Sequence, residues 1–166
     1  MFKSAAFLKE VTKHQQTISF CGVDAHHQNG IAEHRIRVLS DTARIQSLHA
    51  MTHNPKCVEP HLWPHALKHA NHMFNLFPRE GNEKSPEQLF SKSAVDPNIN
   101  NVHPFGCPAC VAMHEKDSGW KPRAYLGVYL GPSPHHASSV GLILNVATGH
   151  ISPQLHCTCD DCFETP

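Results

Sequence analysis

The sequence predicts a mixed α/β chain, in which a mainly helical first half is followed by a small all-β module. Apolar residues recur at helical spacing in the first half, most clearly over residues 61–77. After about residue 95 this period fades, and short runs of strand-forming residues alternate with Gly/Pro turns. We therefore expect two domains, residues 1–95 and residues 96–166.

Four helices are expected in the first half. The first covers residues 4–14, with Ser4 as a plausible N-cap. The second and third cover about 31–48 and 61–77. A short fourth helix starts at Ser85, where the following proline and glutamine suit a capping box.

The second and third helices each carry an apolar stripe along one face. In the second helix the stripe consists of Ala32, Ile36, Leu39 and Ala43. In the third helix it consists of Trp63, Ala66, Leu67, Ala70, Met73, Phe74 and Phe77.

Strands are expected once in the first half and four times in the second. The early strand covers residues 16–21, where β-branched and aromatic residues favour an extended backbone. The later strand-like runs are 110–113, 124–130, 140–146 and 150–159.

The run 124–130 alternates between two faces. Leu126, Val128 and Leu130 are expected to point inward, which leaves Tyr125 and Tyr129 at the outer surface or rim. By the same logic Leu142 and Leu144 share one face of the next strand. A module of this size is marginal alone, so we expect it to pack on the helix of residues 61–77.

Composition and charge restrict the function only weakly. The chain has 14 basic and 14 acidic residues, so its formal charge of zero gives no general case for nucleic-acid binding. The 16 histidines can add positive charge below about pH 6.5. We expect no signal peptide and no membrane span, because the apolar stretch near the start is short. Seven cysteines, an odd number, favour reduced thiols and a location in the cytoplasm or nucleus.

The segment from His26 to Glu33 carries the most chemical information. A polar loop ending in Asn29-Gly30 leads into the second helix, and Glu33 falls in the first turn of that helix. A carboxylate held on a rigid element can coordinate a divalent metal ion. Equally, a carboxylate in a first turn often does no more than complement the helix dipole. The residues alone leave both interpretations open.

Six segments in this order resemble copia-type retrotransposon integrases and the module that follows their catalytic core. They are Gln28-Asn29-Gly30-x-Ala32-Glu33, Arg35-Ile36-Arg37-x-Leu39, Leu62-Trp63-Pro64-x-Ala66-Leu67, Ser85-Pro86-Glu87-Gln88-Leu89-Phe90, His103-Pro104-Phe105-Gly106-Cys107 and Leu126-Gly127-Val128-Tyr129-Leu130-Gly131. Each match alone is weak, but their order and their span over nearly the whole chain make the set specific.

The resemblance implies a remnant of a ribonuclease-H-like integrase core followed by a small SH3-like β-barrel. It implies that Glu33 is the last acid of an Asp-Asp-Glu triad that binds Mg²⁺ for DNA integration. The middle aspartate of that triad lies roughly thirty-five positions before the glutamate, which falls before Met1. Asp24 belongs to the loop and is no substitute. We therefore expect a polyprotein fragment of a transposable element that is catalytically incomplete by itself, although it derives from a family of polynucleotidyl transferases.

The resemblance also implies that the second helix contacts DNA. Its arginines Arg35, Arg37 and Arg44 are the one concentrated basic feature of the sequence, and Asn29 lies just before the helix. The competing interpretation is a solvated face with a Glu33–Arg37 ion pair. The expected partners are DNA and either a second copy of the chain or the rest of the polyprotein. No membrane partner is expected.

Two other kinds of metal site are weaker possibilities. The cysteines could form a zinc site that stabilises the protein, or they could act as small apolar strand residues. They are Cys107, Cys110, Cys157, Cys159 and Cys162. We expect Cys107 and Cys110 not to converge with the other three. The histidine pairs 26–27 and 135–136 lie in polar loops and are expected to be solvated.

Overall fold

The computed structural model describes residues 4–18, 29–78, 81–93, 98–113 and 122–165. The chain divides into two compact units, and the boundary between them falls between Arg37 and Val38. Within the described residues the structure is mixed α/β, as the sequence predicts. None of the helices described there is long and apolar enough to cross a membrane. The expected domain boundary near residue 95 stays a prediction.

The helices follow the sequence closely. They are α1 (Ala5–Lys13), α2 (Gly30–His53), α3 (Trp63–Leu76) and α4 (Pro86–Ser91), with 3₁₀ turns at Pro60–Leu62 and Ile99–Asn101. Ser4 caps α1 by accepting a hydrogen bond from the backbone N–H of Phe7. Ser85 and Gln88 form the expected capping box at the start of α4.

Helix α2 is longer than predicted. It begins at Gly30 and continues to His53, because no helix-breaking residue follows the expected end at residue 48. The helix ends before Asn54-Pro55, where the proline disfavours helical backbone in the residue before it. The strand expected over residues 16–21 is not seen in its described part, because residues 16–18 are irregular. The rest of that range lies outside the described residues.

Five antiparallel strands form one sheet in the second unit. They are β1 (Pro108–Ala112), β2 (Ala124–Pro132), β3 (Gly141–Asn145), β4 (Ile151–Gln154) and β5 (Cys157–Cys159). Their order across the sheet is β4-β3-β2-β1-β5. These strands cover the four predicted runs, and the last run is divided between β4 and β5.

The sheet is strongly curved. Strands β4 and β5 lie at opposite edges, yet only Leu155 and His156 connect them. Three steps of about 3.8 Å bridge at most about 11 Å. Five flat strands spaced by about 4.8 Å would put the edges about 19 Å apart. The sheet must therefore curl so that its two edges approach each other.

One face of the sheet packs against the helices. Val128, Leu130 and Leu144 join a buried cluster with α3 residues Ala66 and Ala70. Leu142 packs against the same cluster, which confirms that it shares a face with Leu144. The expected packing of the β module on α3 is confirmed.

The other face of the sheet is also buried, and here the prediction was wrong. Tyr129 is only 3% exposed and packs with Cys107, Ala109, Val111 and Ile143 inside the curve of the sheet. Leu126, expected to point inward, is instead 38% exposed. The alternation of side chains is as expected, but the curved sheet shields its concave face while leaving part of the other face uncovered.

The apolar stripes of α2 and α3 are buried only in part. On α2, Ala43 and Ala50 are buried whereas Ile36 is 65% exposed. On α3, Trp63 is 62% exposed although it belongs to the apolar stripe. His69 of α3 is buried instead, although it does not belong to the apolar stripe.

His69 connects three parts of the second unit. Its Nδ1 lies 3.2 Å from Oε1 of Gln46 on α2, and its Nε2 lies 3.1 Å from the carbonyl oxygen of His103. Its ring also packs near Phe105 and Tyr129. Burial lowers the pKa of His69 to about 4, although the hydrogen bond to the His103 carbonyl opposes that shift. At neutral pH the ring is therefore an uncharged core side chain.

Candidate nucleic-acid interface

The site predicted from the sequence centres on the start of α2. Asn29 directly precedes the helix, and Glu33 lies in its first turn, as expected. Glu33 is exposed. In this position its carboxylate interacts favourably with the partial positive charge of the helix N-terminus. The placement fits both interpretations of Glu33, as a metal ligand and as a dipole-compensating residue.

The arginines differ in exposure. Arg37 and Arg44 are exposed, whereas Arg35 is half-buried. Asn29 and Arg35 each already interact with another group of the protein. Arg37 and Arg44 follow Glu33 by four and eleven residues. Because an α-helix turns by about 100° per residue, both side chains point within about 40° of the direction of Glu33. Arg37 and Arg44 therefore lie on the same side of α2 as Glu33.

The ion pair that would neutralise this face is not among those found. Neither Glu33 nor Arg37 takes part in the ion pairs seen between described residues. An exposed pair of this kind would contribute only a few tenths of a kcal/mol. Two guanidinium groups are thus placed on one side of a helix, and each could form bidentate hydrogen bonds with a phosphate.

The described residues of the first turn of α2 include one carboxylate, that of Glu33. A two-metal catalytic site needs carboxylates from several elements, because two hard cations require many oxygen ligands. Over the described ranges, no group of three or more His, Cys, Asp or Glu residues could hold a metal ion. Asp24 and the histidine pair at 26–27 lie outside those ranges. The expected role of Mg²⁺ stays a prediction.

The cysteines of the β module are arranged differently from the expectation. Cys107 is buried, and Cys157 and Cys159 pack against the same cluster, so these three do come together. The expectation that Cys107 would stay apart from them was wrong, because β5 pairs with β1. Cys110 points to the opposite side of β1 and is exposed, as is Cys162. Cys107 and Cys110 are therefore not placed to bind the same metal ion.

The pKa values of the three grouped thiols are shifted in different directions. A hydrogen bond with Cys159 and burial both raise the pKa of Cys107, while the same hydrogen bond lowers the pKa of Cys159. Burial raises the pKa of Cys157 to about 11. The environment fits small apolar side chains in a core.

The second histidine pair is exposed, as expected for a polar loop. His136 is nevertheless held in place, because its Nδ1 lies 2.7 Å from the hydroxyl oxygen of Ser133. Ser133 itself is buried. His136 is thus a positioned imidazole at the end of β2, and this was not evident from the sequence.

Comparisons of the chain with protein-family models, with curated proteins and with solved structures found no match. The likeness to copia-type integrases therefore depends on the ordered motifs of the sequence.

Proposed function

We propose that this chain is a segment of a copia-type retrotransposon integrase polyprotein that binds DNA through α2. The observation that carries the proposal is the exposed pair Arg37 and Arg44 on one side of that helix. Guanidinium groups form bidentate, charge-assisted hydrogen bonds with phosphate oxygens, and exposed ones can do so without first breaking a buried contact. Glu33, at the helix start, occupies the position of the last acid in the family's triad.

The β module supports the same origin. We infer that it is the SH3-like barrel that the resemblance implies. Five short antiparallel strands, the order β4-β3-β2-β1-β5 and the two-residue link between the edges are what a small, nearly closed barrel requires. Its contact with α3 makes it part of the same folded unit as the C-terminal part of α2.

Reversing the charge of both arginines is expected to weaken duplex DNA binding. In Arg37→Glu/Arg44→Glu, two phosphate contacts become repulsive, so affinity should fall by a factor on the order of 10 or more at low salt. The dependence of log Kd on log salt should also become shallower by about two. Fluorescence anisotropy of a labelled duplex, titrated at several salt concentrations, measures both quantities.

The matched control is Lys9→Glu/Lys56→Glu, which changes the net charge equally at two exposed lysines outside α2. It should reduce affinity much less. Equal losses in the two double variants would show that binding follows total charge. Such a result, or no duplex binding by the wild type, would contradict the proposal.

The chain alone is not expected to join DNA strands. One carboxylate cannot hold the two metal ions of a strand-transfer site, so purified protein with Mg²⁺ should leave a labelled donor duplex unchanged. Gel analysis of donor and target DNA after incubation tests this. A Mg²⁺-dependent joining product that disappears in Glu33→Gln would overturn this part of the proposal.

The proposed partner besides DNA is a second copy of the chain or the rest of the polyprotein. Ile31 is 91% exposed and Ile36 is 65% exposed. Their exposure supports a covering partner.

A further inference from the structure

A second polar groove lies in the second unit, formed around α3. It consists of two adjoining hollows of about 560 Å³ and about 620 Å³. Both are lined by Lys68, Asn71, His72 and Glu87, so they form one continuous depression. One end lies between α3 and α4, and the other lies between α3 and the connection from β2 to β3.

The end near α4 offers an aromatic ring to the solvent. Phe90 lines this end and is 93% exposed. Helix α4 is only six residues long and buries Ser85 and Gln88 at its start, while Phe90 lies on its outer side. The amides of Asn71 and Asn75 line the same hollow. An exposed ring beside amide groups is the combination that stacks a nucleic-acid base and contacts its polar edge.

The opposite end offers nitrogen groups suited to phosphate. It is lined by His65 of α3 and by His136, which Ser133 holds in place at the end of β2. Lys68 lies between the two ends and is exposed. Glu87 is the single carboxylate among the residues that line the two hollows. The groove therefore presents cationic groups and hydrogen-bond donors, and one carboxylate to repel a phosphate.

We propose that this groove binds single-stranded nucleic acid, with a base stacked on Phe90 and the adjacent phosphates held by Lys68 and the neighbouring imidazoles. A duplex cannot serve as well, because its bases are already stacked on each other. A chain of nucleotides can place a base at one end of the groove and phosphates at the other. None of the residues that line this groove belongs to α2.

Binding is expected to strengthen as the pH falls below neutral. Burial, Lys68 and His61 lower the pKa of His65; burial lowers the pKa of His72, and Glu87 partly offsets this. Both rings are therefore mostly neutral at pH 7 and gain charge on acidification. His69 also lines the groove, but both of its ring nitrogens already face protein oxygens. A phosphate favours the charged imidazoles, so proton uptake accompanies binding.

The test uses the full chain and labelled oligomers of about 12 thymidines or uridines, a length suited to a single-strand site. Anisotropy titrations at about pH 7.5 and about pH 6 should show tighter binding at the lower pH. Phe90→Ala should weaken binding about 10-fold, and Lys68→Ala should weaken it several-fold. The ratio of the two wild-type affinities shows whether DNA or RNA is preferred.

The matched controls are Trp63→Ala and Lys56→Ala, since both side chains are exposed and neither lines the groove. They should keep the wild-type affinity within about twofold. Thermal unfolding of each variant confirms that it is folded. Equal losses in the groove variants and the controls, or competition by thymidine monophosphate as effective as that by the oligomer, would overturn the proposal.

The double variant Arg37→Glu/Arg44→Glu separates this inference from the duplex-binding function. It should lose duplex affinity and keep the effect of Phe90→Ala on single strands. If Phe90→Ala does not weaken single-strand binding while the wild type still binds duplex DNA, the groove proposal alone is overturned.

Discussion

Replacing Gly106 with alanine is expected to lower the free energy of unfolding by about 3 kcal/mol or more. Gly106 has a φ of +80°, and an added Cβ would lie 2.3 Å from Cβ of Ala50 on α2. The backbone cannot easily move away. Its N–H donates to the carbonyl of Tyr129, and its carbonyl accepts from the side chain of Asn54. Urea denaturation followed by circular dichroism measures the loss.

Gly81→Ala is the matched control for this substitution. Gly81 has almost the same φ, +83°, but a Cβ added there would meet nothing within 4 Å. The control isolates the backbone cost, which should be about 1 kcal/mol. The difference between the two variants then measures the clash with Ala50. If both variants lose the same stability, the close contact between α2 and the segment before β1 is not as described.

Acidification is expected to destabilise the protein through His69. In the unfolded chain the ring takes up a proton near its ordinary pKa of 6.5, whereas in the folded state it does so only near 4. The unfolded state therefore binds more protons between these values, and stability falls as the pH falls. The contribution is fully present above pH 6.5 and amounts to about 3 kcal/mol lost by pH 4.

The contribution of His69 can be isolated by comparing the wild type with His69→Gln. The variant should be less stable at pH 7, because the buried ring is lost, but its stability should change less between pH 7 and about pH 4.5. His150→Gln, at an exposed histidine, is the matched control for removing an imidazole. A His69→Gln protein whose stability falls with pH as steeply as that of the wild type would contradict the assignment.

The elements of the fold could largely be predicted from local sequence. Helical spacing, the capping box at Ser85 and the Gly/Pro turns between the strands each depend on a few neighbouring residues. The exposure of their faces could not be predicted in the same way. Alternation shows that Val128 and Tyr129 point to opposite faces of β2, but it does not show that both faces are covered. That depends on the curvature of the sheet, which follows from the pairing of β5 with β1.

The candidate sites could also be predicted only where they depend on local sequence. Glu33 could be placed in the first turn of α2 because Asn29-Gly30 marks the start of the helix. The exposure of Arg37 and Arg44 fits both interpretations of these arginines, as DNA contacts and as a solvated face. The groove around Phe90 could not be foreseen. As an apolar residue of α4 it would be expected in a core, yet the short helix buries its polar first turn. Which side of α4 meets α3 is a tertiary property.

The link between β4 and β5 has a consequence for the stability of the last strand. Strand β5 has only three residues, too few to hold a partner strand on its own. Leu155 and His156 keep it within about 11 Å of the end of β4, so it meets β1 at a high effective concentration. The entropy cost of closing such a short connection is small once the sheet has curled. Strand β5 thus behaves as a tethered ligand of the sheet, and its affinity for β1 is set by the length of the tether as much as by its own hydrogen bonds.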